Sequence, residues 1–103
     1  DAKLERQIVQ ARVPEISESM QIQLVNFVQG IRELDLKKLP AISETIDWAK
    51  TVILLNSEEL DAKLAEDTLN VLLKHQHDIE VVKKEITALL SSATETSDGK
   101  SLN

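Results

Sequence analysis

The chain contains no cysteine, which excludes a disulfide framework and any zinc site built on thiolates. It has only two glycines and two prolines, and two isolated glycines cannot build a phosphate-binding glycine loop. Aromatic residues are equally scarce, since Phe27 and Trp48 are the only two. Positive charge is in the minority, with 12 Lys and Arg against 18 Asp and Glu and a net charge of −6. Because nucleic-acid affinity comes largely from Lys and Arg that replace counterions, we expect no nucleic-acid partner.

Long apolar runs are missing as well. None approaches the roughly 20 residues that span a bilayer, and no charged-then-apolar leader opens the chain, so we expect a cytoplasmic protein without a membrane partner. Hydrophobic residues still make up 42% of the 103 residues, which is typical of one globular domain. Because the first residue is Asp1 rather than Met, we expect further sequence upstream.

What the chain does contain is a recurrence of apolar residues three or four positions apart, which predicts helices and no strands. The predicted fold is an all-α bundle of four to five helices over residues 1–90. Predicted helices begin near Ala2, Ser17, Ser43, Asp61 and Asp78, mostly at polar residues that favour helix starts. Residues 91–103 are rich in Ser, Thr and Gly, and this composition predicts a disordered tail.

Two residues within the predicted helices have a structural interpretation. Trp48 lies on a third helix that is apolar on most sides, which favours a place in the core over a partner-facing position. Gly30 interrupts the apolar stripe of the second helix. Its missing side chain either lets another helix approach closely or merely weakens its own helix.

No arrangement of residues predicts catalysis or a metal site. His75 and His77 are two positions apart and point in different directions on a helix, which favours a solvated junction over a pair of metal ligands. Most carboxylates lie at helix starts or on polar faces, where capping and solubility explain them. Lys37-Lys38 and Lys83-Lys84 are lysine pairs that favour exposed surface, although either pair can meet a phosphate.

Residues 28–50 and 66–74 resemble the C-terminal part of MoxR-family AAA+ ATPases. The most specific piece is Ser43-Glu-Thr-Ile-Asp-Trp-Ala49, followed further along by Glu66-Asp-Thr-Leu69. Upstream, Arg12-Val-Pro-Glu-Ile-Ser17 is similar to the start of the family's lid domain. The resemblance covers roughly residues 4 to 90, and the tail has no counterpart in it.

The resemblance implies an AAA+ lid, a small helical bundle beside the α/β nucleotide-binding core of the same chain. ATP and Mg²⁺ would bind to the parent protein, and the lid would cover the nucleotide and couple its hydrolysis to chaperone-like remodelling of other proteins. Neighbouring subunits of a ring, usually a hexamer, pack against such lids, and a von Willebrand factor A domain protein is a frequent partner. The Walker motifs of the family are absent here, so we expect the chain alone to have no enzymatic activity and no catalytic residue.

In many AAA+ relatives an arginine near the start of the third lid helix reaches the γ-phosphate. The matching stretch here, Pro40-Ala-Ile-Ser-Glu-Thr45, has no arginine, and Glu44 stands at that position. A carboxylate repels phosphate, so Glu44 is expected to stabilise the helix start instead. Lys37 and Lys38 are therefore the candidate cofactor-binding residues, unless a neighbouring subunit supplies the cation.

The residues alone leave another class of protein open. A free-standing helical module that binds a partner helix in an apolar groove has the same acidic, helical composition. A small carrier protein is disfavoured, because Ser57 lies in Asn-Ser-Glu and not in the Asp-Ser-Leu motif of such carriers.

Overall fold

The structure is a computed structural model that describes residues 1–56 and 58–94. These residues form six helices and no strand, which confirms the predicted all-α bundle. The helices are α1 (Ala2–Arg12), α2 (Glu18–Ile31), α3 (Ile42–Leu55), α4 (Ala62–Leu72), α5 (Gln76–Lys84) and α6 (Ile86–Thr94). None of the helices in the described part combines the length and the apolar character needed to cross a membrane.

Two of the predicted helix starts are confirmed by their hydrogen bonds. The Ser17 hydroxyl accepts the amide proton of Met20 at 3.1 Å, and the Asp61 carboxylate accepts that of Leu64 at 2.9 Å. Each bond satisfies one of the amide groups that the first turn of a helix leaves without a partner.

The predicted start of α3 at Ser43 is wrong by two residues. Ala41 is the N-cap, and alanine has no side-chain acceptor for the first amides of the helix. The carboxylate of Glu44 instead turns back and accepts the amide proton of Ala41 at 2.9 Å. This contact confirms that Glu44 serves the helix start, where negative charge is also favourable.

The predicted fifth helix is two helices, which raises the number above the predicted four to five. The chain turns at Glu85, whose amide donates to the carbonyl of Val82 at 3.0 Å and not to the residue four positions back. In addition, α5 begins at Gln76 and not at Asp78. Asp78 does not cap a helix, because its side chain is fully buried against a distant loop.

The predicted start of the disordered tail at residue 91 is also wrong. Helix α6 continues to Thr94, because Ala93 is buried and its carbonyl accepts a hydrogen bond from the side chain of Asn26 in α2 at 3.4 Å. The rest of the predicted tail, residues 95–103, lies outside the described residues.

Helix α2 is the centre of the bundle and contacts α1, α3 and α6. It packs closely on α6 at Gly30, where a Cβ atom would lie only 2.8 Å from Cδ2 of Leu89. Of the two interpretations of Gly30, the structure therefore supports close helix packing. Helices α3 and α4 form the other half of the core, with α4 also contacting α5 and α6.

Trp48 joins the two halves of the core, as its apolar surroundings in the sequence predict. Its side chain is fully buried, and its ring stacks on Phe27 of α2 with 5.3 Å between centroids. The indole N–H donates to the hydroxyl of Thr68 in α4 at 2.8 Å. That hydroxyl donates in turn to the carbonyl of Leu64 at 2.8 Å, so no polar atom of the pair is left without a partner.

We therefore expect Trp48→Ala to lower the free energy of unfolding by about 3–5 kcal/mol, because it leaves a cavity between α2, α3 and α4. Leu54→Ala, on the exposed surface of the same helix, should change it by no more than about 0.5 kcal/mol. Urea denaturation of both variants measures the difference. Equal losses in the two variants would contradict a central role for Trp48.

Candidate functional site

The loop between α2 and α3, residues 32–41 (hereafter the α2–α3 loop), carries both predicted site residues. The side chains of Lys37 and Lys38 are exposed on it. A ten-residue connection between two helices would ordinarily be mobile. This loop is instead attached to the helices at both ends and at its centre.

Arg32 begins the loop and, while partly exposed itself, binds α1 through an ion pair with the buried Glu5. Its Nη1 and Nη2 atoms donate to the two carboxylate oxygens of Glu5 at 2.6 and 2.9 Å. Glu5 is only 2% exposed and also accepts a hydrogen bond from Gln29 at 2.7 Å. A planar guanidinium matches a carboxylate in this two-bond arrangement, and this geometry fixes the direction of both side chains.

The same guanidinium also holds the far end of the loop. Its Nε atom donates to the carbonyl of Pro40 at 2.9 Å, and Nη2 donates to the hydroxyl of Thr45 in α3 at 3.2 Å. One arginine thus connects α1, the two ends of the loop and α3. The start of the loop cannot move relative to its end without breaking these bonds.

The ionisation of Glu5 depends on these contacts. Burial alone raises the pKa of its carboxyl group, but the hydrogen bonds from Arg32 and Gln29 outweigh burial, so the pKa is lower than usual. Glu5 is therefore ionised at neutral pH, as the ion pair requires.

Asp78 of α5 binds the centre of the loop. One carboxylate oxygen accepts the amide proton of Lys37 at 2.8 Å, and the other accepts that of Lys38 at 3.1 Å. The Asp78 side chain has no exposed surface. Two successive amides that point at one anion form a small anion-binding concavity, and here the protein's own carboxylate fills it.

Asp78 is ionised as well. Burial raises the pKa of its carboxyl group, but the amides of Lys37 and Lys38 and the nearby His77 lower it by more, so the pKa is below its usual range. The imidazole Nδ1 of His77 lies 3.5 Å from the carboxylate. The negative charge of Asp78 thus lies against the backbone amides of the two lysines.

Glu44 lies beside the α2–α3 loop, and its carboxylate has partners within the protein. One oxygen accepts the amide proton of Ala41, which lowers the pKa of Glu44, and the second oxygen lies 3.6 Å from Nζ of Lys74. The positive charge of Lys38 also acts on this carboxylate. Much of the charge of Glu44 is therefore compensated within the protein.

The two histidines are exposed at the start of α5. Within residues 1–56 and 58–94, no group of three or more His, Asp and Glu side chains converges in a way that would hold a metal ion. Lys37 and Lys38 could be proposed from the sequence, but the contacts of Arg32, Glu5 and Asp78 could not. Their partners lie 27 and 41 positions away in the chain, and periodicity carries no signal over such distances.

No family model, curated protein or solved structure matches the chain. The resemblance to the MoxR family therefore rests on the residues quoted above.

The buried Arg32–Glu5 pair should contribute strongly to stability. Arg32→Met leaves the Glu5 carboxylate buried without its cation, and we expect a loss of about 3 kcal/mol, at the low end for such pairs because Arg32 is partly exposed. Arg12→Met makes the same substitution at an exposed arginine and should cost under about 1 kcal/mol. Chemical denaturation distinguishes the two, and a loss below 1 kcal/mol for Arg32→Met would refute the role of the pair.

Stability should also decline in acid. The folded protein lowers the pKa of both Glu5 and Asp78, so the unfolded chain binds protons more readily at acidic pH. Their contribution is complete near neutrality and is lost as the pH falls through the lowered values, from about pH 5 downward. Urea titrations at a series of pH values measure how the free energy of unfolding changes in this acidic range. A free energy of unfolding that rises from pH 5 to pH 3 would be inconsistent with ionised, bonded carboxylates.

Proposed function

We propose that this chain is the helical lid of a MoxR-type AAA+ ATPase and that its α2–α3 loop presents Lys37 and Lys38 to the bound nucleotide. One observation carries the proposal. The two most specific segments of the resemblance, residues 43–49 and 66–69, lie on α3 and α4, and the hydrogen bond between Trp48 and Thr68 joins them. The residues that resemble the family thus form one packing unit, which supports a shared fold over a chance match of helical composition.

The rigidity of the bundle supports a role in transmitting motion. A tightly packed core of Leu, Ile and Val moves as one body. Because Arg32 and Asp78 attach the α2–α3 loop to this body, Lys37 and Lys38 would follow every displacement of the lid. A change in the nucleotide would then be coupled to a change in lid position, and through it to neighbouring subunits and client proteins.

The local charges favour lysine over Glu44 as the phosphate contact. Glu44 is engaged with Ala41 and Lys74, whereas the side chains of Lys37 and Lys38 are exposed. The amides of both lysines are bound to Asp78, so only their ammonium groups are available to an external anion. Each would act on a phosphate as a flexible point charge.

In this proposal ATP and Mg²⁺ are bound by the core domain of the same chain, and Mg²⁺ neutralises charge on the phosphates. The lid adds positive charge and covers the site from one side. Ring neighbours and a von Willebrand factor A domain protein are the expected partners, and the expected compartment is the cytoplasm.

A second function, a free-standing interaction module, is favoured by one feature. Leu54 and Leu55 at the end of α3 are 85% and 63% exposed, and adjacent exposed leucines are typical of contact surfaces. A lid separated from its core would expose such residues too. The coding sequence upstream of Asp1 distinguishes the two functions, since the lid requires a domain with Walker motifs there.

The direct test is ATP turnover in the chain that contains the core. We expect the double variant Lys37→Ala/Lys38→Ala to lower kcat/KM for ATP roughly ten- to hundredfold, the scale of one or two hydrogen bonds to a charged group. Lys83→Ala/Lys84→Ala removes the same charge from exposed positions near the end of α5 and serves as the matched control.

Glu44→Ala should keep most of the activity, and the 103-residue chain alone should hydrolyse no ATP. Two outcomes would overturn the proposal. One is wild-type kcat/KM in the Lys37→Ala/Lys38→Ala variant. The other is loss of turnover in Glu44→Ala while its lid remains folded.

A further inference from the structure

We propose that Asp78 is a positioning residue, which fixes the α2–α3 loop from α5 and thereby sets where the side chains of Lys37 and Lys38 can reach. The role of the two lysines in binding nucleotide rests on the proposed function above. The fixing of the loop by Asp78 does not depend on it.

The first support is the use of both carboxylate oxygens. Each accepts one of two consecutive loop amides, at 2.8 Å from Lys37 and 3.1 Å from Lys38. An amide of the same shape cannot do this, because asparagine has one acceptor oxygen and its NH₂ group would face the second N–H. The arrangement therefore requires a carboxylate at residue 78.

The second support is burial. Asp78 has no exposed surface, and a buried charge is retained only where it has partners. Its partners here are the amides of the loop, together with the exposed imidazole of His77 at 3.5 Å. An aspartate whose only role was to cap α5 would lie at the surface and bind amides of its own helix, as Asp61 does in α4.

The third support is the place of the contact in the loop. Asp78 binds the backbone of the two residues whose side chains are exposed cations, so it fixes the points from which both side chains extend. Because Asp78 belongs to α5, a displacement of α5 would be transmitted to both lysines.

Amide hydrogen exchange of the 103-residue chain tests the inference. We expect Asp78→Asn to accelerate exchange at Lys37 and Lys38 roughly ten- to hundredfold, since one amide loses its acceptor and the other keeps only a neutral one. Asp35→Asn removes the same charge from an exposed position on the same loop and should leave both rates within about twofold of the wild type. Exchange in the middle of α2 reports global unfolding, so it gives the loss of overall stability in each variant against which the two loop rates are compared.

A second measurement needs no variant and covers the case in which Asp78→Asn does not fold. In the wild-type protein, the amide shifts of Lys37 and Lys38 should titrate in acid together with the carboxyl carbon of Asp78. Unchanged exchange in a folded Asp78→Asn variant would overturn the inference. Amide shifts that do not follow Asp78 would overturn it as well.

ATP turnover in the chain that contains the core separates this inference from the proposed function. Asp78→Asn should raise KM for ATP in the presence of both lysines and have no further effect in the Lys37→Ala/Lys38→Ala background. A purely structural role would lower the activity of both backgrounds, which would count against positioning. Faster exchange at the two amides with unchanged turnover would uphold the positioning role and refute nucleotide contact by the lysines.

Discussion

The geometry of this protein depends on the hydrogen bonds that the guanidinium of Arg32 donates. This group binds Glu5 of α1, the carbonyl of Pro40 and the hydroxyl of Thr45 in α3. These bonds bring together the two ends of a ten-residue loop and hold it against the bundle. Asp78 then needs to fix only the middle of the loop. The loop that carries the two exposed lysines is thereby attached to the helices at both ends and at its centre.

Local features of the fold could be predicted from the sequence, and distant ones could not. Ser17 and Asp61 act on amides three positions away, so their capping roles are visible in the sequence. The core position of Trp48 follows from the apolar residues around it. By contrast, helix α6 extends beyond the predicted boundary at residue 90 because Ala93 packs on α2. The residue of α2 that binds its carbonyl is Asn26, 67 positions earlier in the chain.

The residues of the candidate site also divide into those that the sequence identifies and those that it does not. The sequence points to Lys37 and Lys38 only through the family resemblance, since charge alone does not separate them from Lys83 and Lys84, and it identifies Glu44 by its place at a helix start. It does not reveal that Asp78 binds the loop, because the position of Asp78 near the start of α5 fits an ordinary helix cap equally well. The distinction requires the tertiary structure, in which the carboxylate is buried and turned away from its own helix.

If the proposed function is correct, the two loop lysines lie next to the nucleotide. In the chain that contains the core, Mn²⁺ can replace Mg²⁺ beside ATP and broaden the NMR signals of nearby residues. We predict that on binding of Mn²⁺ and ATP the amide signals of Lys37 and Lys38 broaden more strongly than those of Lys83 and Lys84, which lie farther along α5. Equal broadening at the two lysine pairs, or none at the loop, would contradict the proposed function.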